Sequence, residues 1–104
     1  MARKISYQQA VAEAIGSEME RDPTVVIMGE DIAGGMGAPG EDDAWGGVLG
    51  VTKGLYARFP GRVIDTPISE MAFVGAAVGA AMTGLRPVVE IMFADLLGCC
   101  YDQI

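Results

Sequence analysis

The richest chemistry in this sequence is a carboxylate at the head of an uncharged helix. Glu70 follows Asp65-Thr66-Pro67-Ile68-Ser69 and opens the run Met71 to Leu85, 15 residues without a charge. Ser69 is placed to cap the helix, and an acid in the first turn is favoured by the helix macrodipole, which gives Glu70 a purely structural reading. A catalytic reading stands beside it on equal terms. A helix with no charge until Arg86 is expected to be buried all round. A carboxylate at its mouth, beyond the carboxyl end of a strand, would be desolvated, raised in pKa and fit to share a proton. Gly75 and Gly79, one turn apart, offer a smooth groove for close approach by another backbone. Glu30, at the end of the first strand, and Glu90, inside the third, are further carboxylates within range of such a site.

The other chemistry is narrower. The chain of 104 residues contains no histidine, so a Ser-His-Asp triad or a His-based metal site is excluded from these residues alone, and catalysis must rest on carboxylates, a cofactor or a partner chain. Its two cysteines, Cys99 and Cys100, are adjacent; they make neither a disulfide framework nor a zinc site and read as small core residues of the last helix. Gly35, Gly37 and Gly40 satisfy G-x-G-x-x-G, but they lie several residues past the strand, and Pro39 and Glu41-Asp42-Asp43 stand where a phosphate would sit. That segment reads as a surface loop anchored by Trp45. Seven basic against 14 acidic residues give a net charge of -7, which excludes nucleic acid and anionic membrane as partners. The N-terminus lacks the apolar segment of a signal peptide, and the longest uncharged run is shorter than the roughly 20 residues of a membrane span, so a soluble cytoplasmic protein is expected.

The elements that must position these groups follow from periodicity. Ser6 and Gln9 form a capping box for an amphipathic helix that runs to Asp22-Pro23. Thr24 to Met28 is a continuous apolar run, predicting a strand buried on both faces. After the loop from Gly29 to Gly50, a helix is predicted over Val51 to Phe59, a strand at Val63-Ile64, a helix over Ser69 to Thr83 stopped by Gly84, and a strand over Pro87 to Phe93. The alternation predicts an α/β fold, a parallel sheet with helices on both faces, whose ligands gather beyond the carboxyl ends of the strands. Leu96, Leu97, Cys100, Tyr101 and Ile104 form a helical apolar stripe still running at the last residue, which leads us to expect a piece of a longer protein.

The stretch from Glu70 through Gly75 to Gly79 resembles the signature of the pyrimidine-binding domain of thiamine diphosphate enzymes, with Ala76 and Ala80 small for its apolar positions. RVIDTPISEMAFVGAAVGAAMTGLRPVVEIMF, ISYQQAVAEAI and VVIMGED resemble the β subunit of the E1 component of 2-oxo acid dehydrogenase complexes. The loop GGMGAPGEDDAWGGVLGVTKGL is most similar to the acetoin dehydrogenase branch. The resemblance implies that residues 1–104 are the N-terminal part of the pyrimidine-binding domain, a truncated form of that fold without the C-terminal transketolase-type domain. It further implies thiamine diphosphate as cofactor, with Glu70 hydrogen-bonding the aminopyrimidine N1′ and promoting the tautomer that deprotonates the thiazolium, so that the activated cofactor attacks a small carbonyl substrate. Ile68, Met92 and Leu96 would line the pyrimidine, and Gly75 and Gly79 would lie in a subunit contact. The cofactor's Mg²⁺ would be held by an α subunit, because no Gly-Asp-Gly segment exists here. Partners implied are that E1 α subunit, a second β subunit in an α₂β₂ tetramer, and a lipoyl-bearing E2 that receives the acyl group; the isolated chain is expected to be inactive. Two other functions fit the same residues: a pyrimidine domain of another transketolase-type enzyme, and a non-catalytic oligomerisation fragment.

Overall fold

A computed structural model describes residues 3–33 and 46–104. The G-x-G-x-x-G segment, the Glu41-Asp42-Asp43 run and Trp45 lie outside these residues. The chain begins with α1 (Tyr7–Arg21), started as predicted by a capping box. Gln9 N–H donates to Ser6 Oγ at 3.2 Å and Ser6 N–H donates to Gln9 Oε1 at 2.9 Å. Then follow β1 (Val25–Gly29), α2 (Leu55–Arg58), β2 (Val63–Asp65), α3 (Glu70–Met82), β3 (Arg86–Val89) and two 3₁₀ segments, Ala94–Cys99 and Tyr101–Gln103.

The strands form one parallel sheet in the order β2-β1-β3, as the apolar, β-branched runs predicted. Ile27 at the centre pairs with Val63 on one side and Val88 on the other. It is 0% exposed because helices cover both faces. On one face Met19 of α1 and Leu55 of α2 pack with Val25, Ile27, Ile32 and Val63; on the other Phe73 and Val74 of α3 pack with Cys100, Val89 and Ile91. Burying each of these large side chains contributes about 1.5–3 kcal/mol.

Four expectations are corrected. The helix predicted from Val51 is a turn followed by the single-turn α2, because Gly54 takes φ +85°, a left-handed conformation that interrupts helical backbone. The final stripe is 3₁₀ rather than α-helical: Leu96 N–H donates to Phe93 O, and Cys100 N–H to Leu97 O, each three residues back. The third strand stops at Val89, leaving Glu90 just past its end. Finally, α3 is not buried all round. Phe73, Val74 and Ala77 form its buried stripe, whereas Met71, Val78 and Met82 are exposed, because the sheet formed by the described strands covers only one side of the helix. Among the described residues no helix is long and apolar enough to cross a membrane.

Candidate functional site

Parallel strands deliver their carboxyl ends to one edge, and that is where the acids collect. β1 leads into Glu30, β2 ends at Asp65 and leads into Thr66, and β3 leads into Glu90. Hydrogen bonds extend the sheet one step further: Thr66 N–H donates to Gly29 O and Glu90 N–H to Met28 O, both at 2.9 Å. Asp65 fixes the chain leaving β1, since its Oδ1 accepts from Ile32 N–H at 2.7 Å and Ala33 N–H at 2.8 Å. The chain approaches closely at Gly29, where a Cβ would meet Glu90 Cβ at 3.0 Å and the Glu90 carbonyl oxygen at 3.2 Å, so that a larger residue would push these neighbours back.

Glu30 is 7% exposed. Its Oε1, like Glu90 Oε2 and Thr66 Oγ1, is buried without a hydrogen-bond partner. Burial pushes the Glu30 carboxyl above the ordinary glutamate range, and the neighbouring Glu70 and Asp31 charges push it further. Burial, then Glu30, likewise raises Glu90. The described residues contain no group of three His, Cys, Asp or Glu side chains arranged to hold a metal ion.

Glu70 is half-buried in the first turn of α3 and close enough to Glu30 for the two side chains to interact. Ser69 precedes the helix, but its side chain makes no capping bond, contrary to expectation. Glu70, Ala72, Gly75, Cys99 and Gln103 border an open cleft of about 640 Å³. The other residues expected at the pyrimidine do not join it. Ile68 is 84% exposed. Met92 lines a separate pocket of about 250 Å³ with Thr52, Glu90 and apolar residues of α1. Leu96 is half-buried in the first 3₁₀ segment and lines neither cavity.

The two groove glycines also differ. A Cβ on Gly75 would meet Gln103 Oε1 of this same chain at 2.6 Å, whereas one on Gly79 would meet nothing within 4 Å. Cys100 is buried, as expected of a core thiol, and burial raises its pKa; Cys99 is exposed, contrary to that expectation.

Glu30 and Glu90, named from the sequence as further carboxylates within range, stand at this edge, whereas the anchoring role of Asp65 was missed. The available signal was positional: each acid stands at or directly after an apolar, β-branched run, where a parallel strand ends.

Residues 3–104 match the family model described as the transketolase pyrimidine-binding domain. The chain is 64% identical over 104 residues to the β subunit of acetoin:2,6-dichlorophenolindophenol oxidoreductase of Cupriavidus necator, covering all of this chain and 31% of that protein. To the protein of the same name from Bacillus subtilis it is 53% identical over 107 residues, again all of this chain and 31% of the relative. The 2-oxoisovalerate dehydrogenase β subunit of Bacillus subtilis is 42% identical over 101 residues, 96% of this chain and 28% of that one. The chain therefore spans less than a third of the length of these curated relatives.

Proposed function

The chain belongs to the transketolase pyrimidine-binding domain family, and from that premise we propose that it is the N-terminal part of the β subunit of a thiamine diphosphate-dependent E1 enzyme. That enzyme cleaves acetoin or oxidatively decarboxylates a 2-oxo acid and passes the acyl group to a lipoyl-bearing E2. The single observation that carries the reading is the position of Glu70, half-buried at the start of α3, on an open cleft and beside a second, more deeply buried carboxyl. Higher identity to the two acetoin enzymes than to the 2-oxoisovalerate enzyme favours acetoin as the substrate.

The residues present fit an aminopyrimidine. Ser69 and Glu70 offer polar groups on the open cleft, with Met71, Ala72 and Gly75 beside them, and the unpartnered buried oxygens of Glu30, Glu90 and Thr66 lie at the neighbouring strand ends. When bound, thiamine diphosphate supplies the electron sink that stabilises the substrate carbanion. Glu70 holds and exchanges a proton at the aminopyrimidine N1′, a task suited to an acid partly withdrawn from water. Ile68, exposed here, and half-buried Met92 and Leu96 would line the pyrimidine once the rest of the β subunit and the α subunit are in place. The α subunit holds the Mg²⁺ and the diphosphate. Gly79, open in this chain, and Gly75 lie at a subunit contact of an α₂β₂ assembly.

The test is Glu70→Gln in the full-length chain assembled with its α partner. Acetoin-dependent reduction of an artificial acceptor should fall by orders of magnitude while assembly persists. An unchanged rate rejects the assignment. Running pyruvate in parallel with acetoin decides the substrate.

A further inference from the structure

We propose that the Ser69 hydroxyl is a ligand-binding group of the Glu70 cleft, free to hydrogen-bond the edge of a polar heterocycle because the helix it precedes does not use it. The inference deepens the proposed function and rests on the reading of this cleft as the place of the aminopyrimidine.

Serines stand at the N-caps of both α1 and α3, and the two behave differently. Ser6, with φ -75° and ψ 163°, has the extended backbone of an N-cap, and its Oγ accepts from Gln9 N–H, three residues on. Ser69 has φ -161° and ψ 70° and makes no such bond. The cause lies in the first turn of α3. Ala72 N–H, the donor that a capping hydroxyl would satisfy, is taken by the Ser69 carbonyl oxygen at 2.9 Å, and Phe73 N–H donates to the same oxygen at 3.1 Å. The helix closes its own end with a three-residue bond and leaves the hydroxyl unspent.

That hydroxyl stands at the cleft. Ser69 is exposed and borders the open space of about 640 Å³ together with Glu70, Gly75 and Gln103. Gly75 lies further along α3, where the Gln103 side chain crosses the helix so closely that a Cβ on Gly75 would meet Gln103 Oε1 at 2.6 Å. At the helical rise per residue, Ser69 and Gly75 are about 9 Å apart along the axis, room for a single ring lying beside the first turns of the helix. A carboxylate only accepts hydrogen bonds, whereas a hydroxyl both donates and accepts. Ser69 therefore adds beside Glu70 a donor for a ring nitrogen or an acceptor for an exocyclic amino group.

The test uses the full-length chain assembled with its α partner and freed of cofactor, titrated calorimetrically with thiamine diphosphate in the presence of Mg²⁺. Ser69→Ala should raise Kd about threefold to tenfold, the scale of one neutral hydrogen bond. Ser69→Thr, which keeps the hydroxyl, should stay within about twofold of the parent. Urea unfolding of the cofactor-free Ser69→Ala assembly should give the parent's midpoint, because no cap is lost. An unchanged Kd in Ser69→Ala overturns the proposal. So does a lowered urea midpoint, which returns the hydroxyl to helix capping, and so does a Ser69→Thr variant that binds as weakly as Ser69→Ala. A parent assembly that takes up no thiamine diphosphate refutes the reading of the cleft itself, a result distinct from the other three. Because binding and unfolding need no turnover, these outcomes stand apart from the rate measured for Glu70→Gln.

Discussion

Removing the Asp65 carboxylate tests the idea that this acid, rather than the strand itself, fixes the chain that leaves β1. Its Oδ1 accepts from Ile32 N–H at 2.7 Å and Ala33 N–H at 2.8 Å, across 33 and 32 residues of sequence. Hydrogen bonds to a charged group contribute about 1.5–3 kcal/mol each. Both are part-buried, so the lower end applies, and Asp65→Ala should destabilise the protein by about 3 kcal/mol. That is a large fraction of the roughly 5–15 kcal/mol that holds a typical domain folded. Asp65→Asn keeps an acceptor oxygen without the charge and should cost about 1 kcal/mol. Urea unfolding of the full-length chain measures both, with an unchanged m-value as the check that only stability moved. Ile32 and Ala33 lie two and three residues past Glu30, so the Ala variant should also lose activity in the assembled enzyme before it loses its fold. If Asp65→Ala unfolds within about 0.5 kcal/mol of the parent, the range of an ordinary surface change, the tether is not what orders this edge.

Two further outcomes follow from the same geometry. Glu90 is raised chiefly by burial and secondarily by Glu30, so the folded state binds this proton more tightly than the unfolded chain does. Stability contributed by that protonated form is present below the ordinary glutamate pKa and is lost as pH rises through the raised value; Glu90→Gln should therefore be more stabilising at pH 8 than at pH 5, and urea midpoints showing equal gains at both would contradict the burial. Gly79→Leu should leave the isolated β chain folded, since a side chain there meets nothing within 4 Å, while weakening its association with the α subunit or the second β subunit. Light scattering across a dilution series reads this directly, and an unaltered assembly would remove Gly79 from the subunit contact.

Much of the architecture was legible because it depends on short-range patterns. The Ser6–Gln9 capping box set the start of α1, the apolar run Thr24–Met28 announced a doubly buried strand, and Gly84 closed the helix as expected, its φ of +106° being open to glycine. What failed depended on context. The helix over Val51 to Phe59 satisfied an apolar periodicity that Gly54 breaks, and the stripe from Leu96 to Ile104 has helical spacing but closes on three-residue hydrogen bonds. The uncharged surface of α3 suggested burial all round, yet a hydropathy pattern states only that a surface needs covering; within this chain the sheet covers the Phe73, Val74 and Ala77 side alone.

For the site, residue types drew attention to Glu70, an acid at the mouth of an uncharged helix in a chain without histidine, but left a purely structural role equally open; only the resemblance to thiamine diphosphate enzymes implied a catalytic one. Sequence alone also determined that the sheet is parallel, since helices alternate with apolar strands. Which acids stand together was decided by tertiary structure. Glu30 and Glu90 lie 60 positions apart in the numbering and become neighbours only because β3 pairs beside β1, with Met28 opposite Val89. A parallel sheet aligns strand ends by long-range hydrogen bonding, and no local preference of the chain encodes that register.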